Sequence, residues 1–396
     1  MLIMMALLVC ACDNQTSSRS SGASSMPAAP AMSKEGSHAA SSTAVANVTH
    51  VESSKPLTSI RMVSQLVGWA IAGKTSVLRT TDGGNHWIDV TPHYSDPPTE
   101  ITPAFVDGLH AWIGYVGVMD QSPIIILRTS DGGQIWQWAT IAANQPTYVA
   151  SLQFRGSNYL QGWVLAGIDG GPGAGHEGFG LYVTTNGGQI WSALPTIYTS
   201  DQMGGLSFLD TTTGFLAFGG PYATPQLSVT HDGGRSWKNL SLPAVPGVPG
   251  GGAGEYFTTP PVFFGSSGFL PVYLSAETSS GKAGPQGFVI YTTSDGGTTW
   301  ATKDYKTLLT VASPLAPGDL YIVDPMHFYV TDQKGATLLS TNGGASWTTL
   351  AGTVGSGVTS LSFTDSLHGW AVGGGLWRTT DGGHSWQSVN YIVFAI

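Results

Sequence analysis

From residue 57 to residue 396 the apolar residues fall in short runs, alternating or continuous, separated by turn residues, and no stretch holds a helical period. The last such stretch shows the pattern most plainly. Ser360-Leu361-Ser362-Phe363, Gly369-Trp370-Ala371-Val372, Leu376-Trp377-Arg378-Thr379 and Ser385-Trp386-Gln387-Ser388-Val389 read as four strands, here positions A to D of a repeat. Upstream, strand A recurs as Leu-x-Phe-x-Asp, clearest at Leu206 to Asp210 and Leu361 to Asp365. Strand B recurs around Trp69, Trp112, Trp163, Phe215, Phe269, Phe328 and Trp370.

Between C and D each repeat carries a box: Thr or Ser, then Asp or Asn two residues on, Gly-Gly, and Trp three residues later. The box acids and amides are Asp82, Asp131, Asn186, Asp232, Asp295, Asn342 and Asp381, and the box tryptophans Trp87, Trp136, Trp191, Trp237, Trp300, Trp347 and Trp386. An Asp or Asn side chain can accept from backbone N–H groups of its own turn, and glycine supplies φ > 0 without a Cβ penalty, so the box reads as a structural hairpin turn. Seven radial four-stranded antiparallel sheets, strand A innermost, predict an all-β, seven-bladed β-propeller over residues 57–396, at about 49 residues per blade.

The start of the chain breaks this pattern. Residues 1–12 are an apolar run ending at Cys12, too short for a membrane-spanning helix and like the hydrophobic core of a secretory signal. Val9-Cys10-Ala11-Cys12 resembles a bacterial lipobox, which would place a lipid on Cys12 and the protein outside the cytoplasm, anchored to a membrane; an ordinary cleaved leader would instead leave the protein secreted. Residues 13–55, rich in Ser, Ala, Pro and Thr, cannot bury enough apolar surface to offset their ordering entropy and read as a disordered tether.

Charge and chemistry narrow the function. A net charge of -9 with 15 Lys plus Arg offers no footprint for nucleic acid. The only cysteines are Cys10 and Cys12, and the histidines lack metal-ligand spacing, so no metal or cofactor is expected.

The box is similar to the Asp-box, or bacterial neuraminidase repeat. Joined to the Gly-Trp strand upstream, it resembles the photosystem II stability and assembly factor family and its non-photosynthetic bacterial relatives over residues 57–396. That resemblance implies a propeller and a non-enzymatic, monomeric binding or assembly module whose partner is a protein or a glycan at the cell surface. The competing reading is a sialidase-like or other glycoside hydrolase. Arg79, Arg128 and Arg378 look like the arginine triad of a sialidase, yet each precedes the Thr of its own box, which spreads them round the ring.

Insertions point to a binding face. From the strand-B aromatic to the box Asp or Asn the repeats span 13, 19, 23, 17, 26, 14 and 11 residues, so repeats 2 to 5 carry enlarged B-to-C connections. The long D-to-A connections, 242–257 and 305–319, emerge on that same face, opposite the boxes. Insertions gather on binding faces. The candidates there are Tyr115, Asp120, Asp169, His176, Glu177, Tyr222, Glu255, Tyr256 and Glu277.

Overall fold

The computed structural model describes residues 49–50, 56–119, 122–169, 177–220, 224–245, 254–277, 283–302, 320–331 and 335–395. All its regular elements are strands. The leader 1–12 with Cys12, and all of the tether but Thr49 and His50, lie outside the described residues.

The repeat pattern becomes antiparallel sheet. In the last repeat, Ser360–Phe363, Gly369–Val372, Leu376–Thr379 and Gln387–Ser388 form a four-stranded sheet in chain order. Leu361 pairs with Ala371, and Ala371 with Trp377, so alternate residues face opposite neighbours. Two further four-stranded sheets run Thr102–Phe105 to Gln137–Ile141 and Leu320–Ile322 to Thr348–Thr353.

Successive sheets pack through an aromatic ladder. The strand-B ring of one repeat stacks on the strand-A ring of the next: Trp112 on Phe154 with centroids 3.9 Å apart, Trp163 on Phe208 at 3.7 Å, and Tyr329 on Phe363 at 3.9 Å. Where the last repeat meets the first, Met62 replaces the ring and is buried in one cluster with Trp370. The ladder explains the glycine that precedes the strand-B aromatic at Gly68, Gly162, Gly214, Gly268 and Gly369. A Cβ on Gly162 would stand 2.5 Å from the Phe154 ring, and one on Gly369 would stand 2.4 Å from Phe363. The strand-A ring occupies the space that a side chain there would need.

The first and last repeats close on each other. Met62 N donates to Ser362 Oγ at 2.8 Å, buried, and Thr359 Oγ1 donates to Thr58 O at 2.9 Å. Strand Ile392–Ala395 then runs parallel to strand His86–Asp89 of the first repeat, and Thr49–His50 pairs antiparallel with its outer edge. Val393 is buried in the same cluster as Met62 and Trp370. The C-terminal tail thus belongs to the first sheet.

The described strands group into six sheets, because repeats 4 and 5 share one of nine strands. Strand Gly254–Thr258 pairs with Ser267–Glu277 of repeat 5 and, through Tyr256 and Phe257, with the end of Gly214–Gly220 in repeat 4. It is the upper half of a strand A interrupted at Thr259-Pro260-Pro261, where proline removes ladder donors. So the connection 242–257 ends in a strand. Much of the enlarged B-to-C connections is likewise longer strand: Gln161–Ile168 with Glu177–Thr184, and Ser267–Glu277 with Ala283–Thr293.

Candidate functional site

On the box face, local hydrogen bonding uses the conspicuous acids. In all seven boxes the Thr or Ser hydroxyl donates to the Asp or Asn Oδ1 at 2.6–3.0 Å. That Oδ1 also accepts from the backbone N–H four residues on at 2.9–3.0 Å. The hydroxyl accepts in turn from the second glycine N–H at 2.8–3.0 Å. Both glycines of each box have positive φ, for example 79° at Gly132 and 90° at Gly133.

These bonds fix the acids as carboxylates. The Thr293 and Thr299 hydroxyls and the Thr299 N–H hold the Asp295 carboxyl down at about 2, and Ser236 and Thr230 lower that of Asp232 likewise. At Asp131 burial pulls upward, but the Ile135 N–H and the Thr129 hydroxyl outweigh it. Such groups are poor proton donors at neutral pH.

A second set of acids lies in the A-to-B turns beside the boxes. Asp107, Asp324 and Asp365 each accept from the backbone N–H groups two and three residues on, and each contacts a histidine Nδ1, of His110, His327 and His368 respectively, at 2.8–3.1 Å. In every repeat the first box glycine N–H donates to a carbonyl of this turn, as Gly132 N does to Leu109 O at 3.0 Å. The arginines join in: Arg79 Nε donates to Gly108 O of the next repeat at 2.8 Å, and Arg128 contacts Gly187 O at 3.5 Å. Arg79 and Arg128 thus hold two different turns.

The box tryptophans pack at the sheet edges. Trp87 and Trp300 are buried, and Trp136, Trp191, Trp237, Trp347 and Trp386 are partly buried against the clusters between repeats. Phe154 meets Trp191, Phe208 meets Trp237 and Phe363 meets Trp386 edge to face. Trp138, which lies outside the boxes, is 73% exposed.

On the opposite face the candidates separate. Tyr115 is buried at 2% exposure, its ring edge-on to Tyr94 at 5.3 Å, and Tyr256 is buried in the cluster between repeats 4 and 5. Both are core residues and unavailable to a ligand. Asp169 and Glu177 are exposed, and Glu177 opens a strand opposite Thr199. Asp120, His176 and Tyr222 lie outside the described residues, as do the side chains of Glu255 and Glu277.

Asp96 is a residue that the sequence reading passed over. It is buried, and its carboxylate accepts from Val118 N at 3.0 Å, Met119 N at 3.3 Å and the Ser122 hydroxyl, which ties down the B-to-C loop of the second repeat. Its signal was Asp96-Pro97-Pro98, a turn-initiating acid before two prolines. Among the described residues no three His, Cys, Asp or Glu gather as metal ligands.

No protein-family model matches the chain, and no curated protein matches it. Solved structures do. YCF48 bound to a D1 peptide superposes with a TM-score of 0.52 at 18% identity, covering 85% of this chain and 94% of that one. The GH74 xyloglucanase of Xanthomonas campestris gives 0.55 at 13% identity over 88% of this chain, which spans 56% of the xyloglucanase chain. A polysaccharide lyase of family PL25, an ulvan lyase, gives 0.52 at 11% identity, covering 86% and 96%. At these identities the likeness is one of fold, and the fold is a β-propeller.

Proposed function

We propose that this chain is a seven-bladed propeller of four-stranded blades, held outside the cytoplasm by a lipid on Cys12, that serves as a non-enzymatic module binding a segment of a partner protein. Seven box turns, each leading into its own further strand, support this blade count when the nine-stranded sheet is divided at the short bridge between Gly219-Gly220 and Tyr256-Phe257.

One observation carries the reading. Matching YCF48 over 94% of its length, at a higher identity than either the ulvan lyase or the xyloglucanase, sets the folded part of this chain beside a whole protein that holds a peptide, whereas the xyloglucanase needs nearly twice this length. The commitment of all seven box side chains to turn hydrogen bonds agrees with it, since the most repeated acids are then structural.

The test uses the full chain against an array of peptides from extracytoplasmic segments of membrane proteins, with xyloglucan, ulvan and sialosides assayed in parallel. Saturable peptide binding without glycan turnover is expected. Release of reducing ends, unsaturated uronate or free sialic acid would replace the reading with an enzymatic one. Labelling with an alkyne fatty acid should mark the wild type and leave Cys12→Ser unmarked; equal labelling would exclude the anchor.

A further inference from the structure

The interface between the third and fourth repeats has a hole that the repeat pattern does not predict. Two residues before each box hydroxyl, strand C turns a side chain onto the preceding repeat. Six repeats place there Leu78, Leu127, Tyr182, Tyr291, Leu338 and Trp377, each packed into a cluster with that neighbour. The fourth places Ser228, which is 4% exposed. A missing large side chain in a close-packed interior leaves space. Beside Ser228 lies a cavity of about 250 Å³, open to solvent.

Its lining differs from the apolar seams elsewhere. The floor is Leu216 and Phe218, one wall is strand Ile197–Thr199 with Asp201, and the other carries Gln226, Ser228, Trp237 and Asn239. Ser228 Oγ donates to Asn239 Oδ1 at 2.7 Å, which leaves the Asn239 amide N–H groups to face a ligand. Among the described residues the Trp237 indole N–H has no acceptor, as is also so at Trp300 and Trp386, whereas those of Trp87, Trp191 and Trp347 donate to their own box glycines.

We propose that this cavity binds a single neutral sugar ring, such as an exposed pyranose of a cell-surface glycan. A cavity of roughly 150 Å³ accepts benzene, and drug-sized ligands take about 300 Å³ or more, so this one suits a single six-membered ring with its substituents. A pyranose has an apolar C–H face, for Trp237 and Phe218, and a rim of hydroxyls that donate to Asp201 and accept from Asn239. The lining holds one carboxylate and no Lys, Arg or His, so an anion would meet repulsion without a counter-charge. The site is separate from the peptide-binding reading and stands or falls without it.

The experiment follows tryptophan indole resonances of the full, ¹⁵N-tryptophan-labelled chain, with Trp237 assigned through Trp237→Phe. Methyl glucoside, galactoside and mannoside are titrated, with glucuronate and butylamine as comparison arms. At least one neutral pyranoside should shift the Trp237 signal saturably in the low millimolar range. Ser228→Leu, which restores the side chain found in other repeats, should raise the thermal midpoint and weaken binding at least about tenfold. Asn239→Leu, at an exposed position, should weaken it likewise and decides the matter if Ser228→Leu fails to fold. No shift with any pyranoside, shifts that survive both substitutions, or saturation by glucuronate or butylamine alone would each overturn the assignment.

Discussion

The rings of Trp163 and Phe208, 45 positions apart in the chain, lie 3.7 Å apart with their planes 8° from parallel. Trp163 Nε1 reaches the Gly233 carbonyl of the next box at 3.4 Å, as Trp112 reaches Gly187 and Trp370 reaches Gly83. Repeats 2 and 3 are thus each clasped to the following one by a tryptophan that both stacks and donates, whereas Phe215 and Phe269 of repeats 4 and 5 have no N–H to give. Phe208→Ala should cost about 3–5 kcal/mol in urea unfolding, the range for a large buried ring.

Gly162→Ala tests the same ladder from the other side. The added Cβ would stand 2.5 Å from the Phe154 ring, which is itself stacked on Trp112 and cannot swing away freely. A loss of about 1–3 kcal/mol is expected, the cost of overpacking. A neutral result in equilibrium unfolding would mean that the ring has room to move.

The boxes predict which substitutions are tolerated. The working atom is Oδ1 as acceptor, and Asn186 and Asn342 supply it as well as any aspartate. Asp131→Asn should therefore leave the thermal midpoint nearly unchanged. Asp131→Ala removes the acceptor for the Ile135 N–H and the Thr129 hydroxyl and should cost about 1 kcal/mol.

Acid should loosen the molecule. The carboxyls of Asp82, Asp131, Asp232, Asp295 and Asp381 all sit below their ordinary value, that of Asp295 at about 2. A carboxyl lowered on folding contributes stability that is fully present above its unfolded value, near 3.8, and is lost as the pH falls through its folded one. Stability should be flat from pH 7 to about pH 5, then fall between about pH 4 and pH 2, when followed by thermal unfolding against pH. A box set of Asp→Asn variants should flatten that fall.

The seam should be a point of global control. Ser362→Ala leaves the buried Met62 N–H without its acceptor and should cost about 1–3 kcal/mol. Val393→Asp puts a carboxylate into the cluster with Met62 and Trp370 and should cost more than about 2 kcal/mol. In both variants the whole molecule should unfold in one transition at a lower temperature, by calorimetry. A separate early transition would show that the first and last repeats melt on their own.

The hairpin turns were legible because their chemistry is local: Thr129, Asp131, Gly133 and Ile135 complete the turn among residues four or fewer positions apart. The strands of the last repeat were legible for the same reason, down to Ser360–Phe363 and Leu376–Thr379. The binding-face candidates were less so. Tyr115 and Tyr256 fall in enlarged connections by counting along the chain, but what buries them is Tyr94, far away in sequence, and strand Ser267–Glu277. Counting residues between landmarks also could not distinguish a loop from a strand that simply runs on, as Ser267–Glu277 does.

By itself the sequence determined an all-β chain and the turn that each of the seven boxes makes, because these depend on side chains bonding to their own backbone and on a period of two along a strand. Only the tertiary structure decided that Gly254–Thr258 would join two repeats in one sheet, that Ile392–Ala395 would complete the first sheet, and that Ser228 would leave a cavity. Those outcomes depend on which surfaces meet across tens or hundreds of residues, and burial is a property of the meeting.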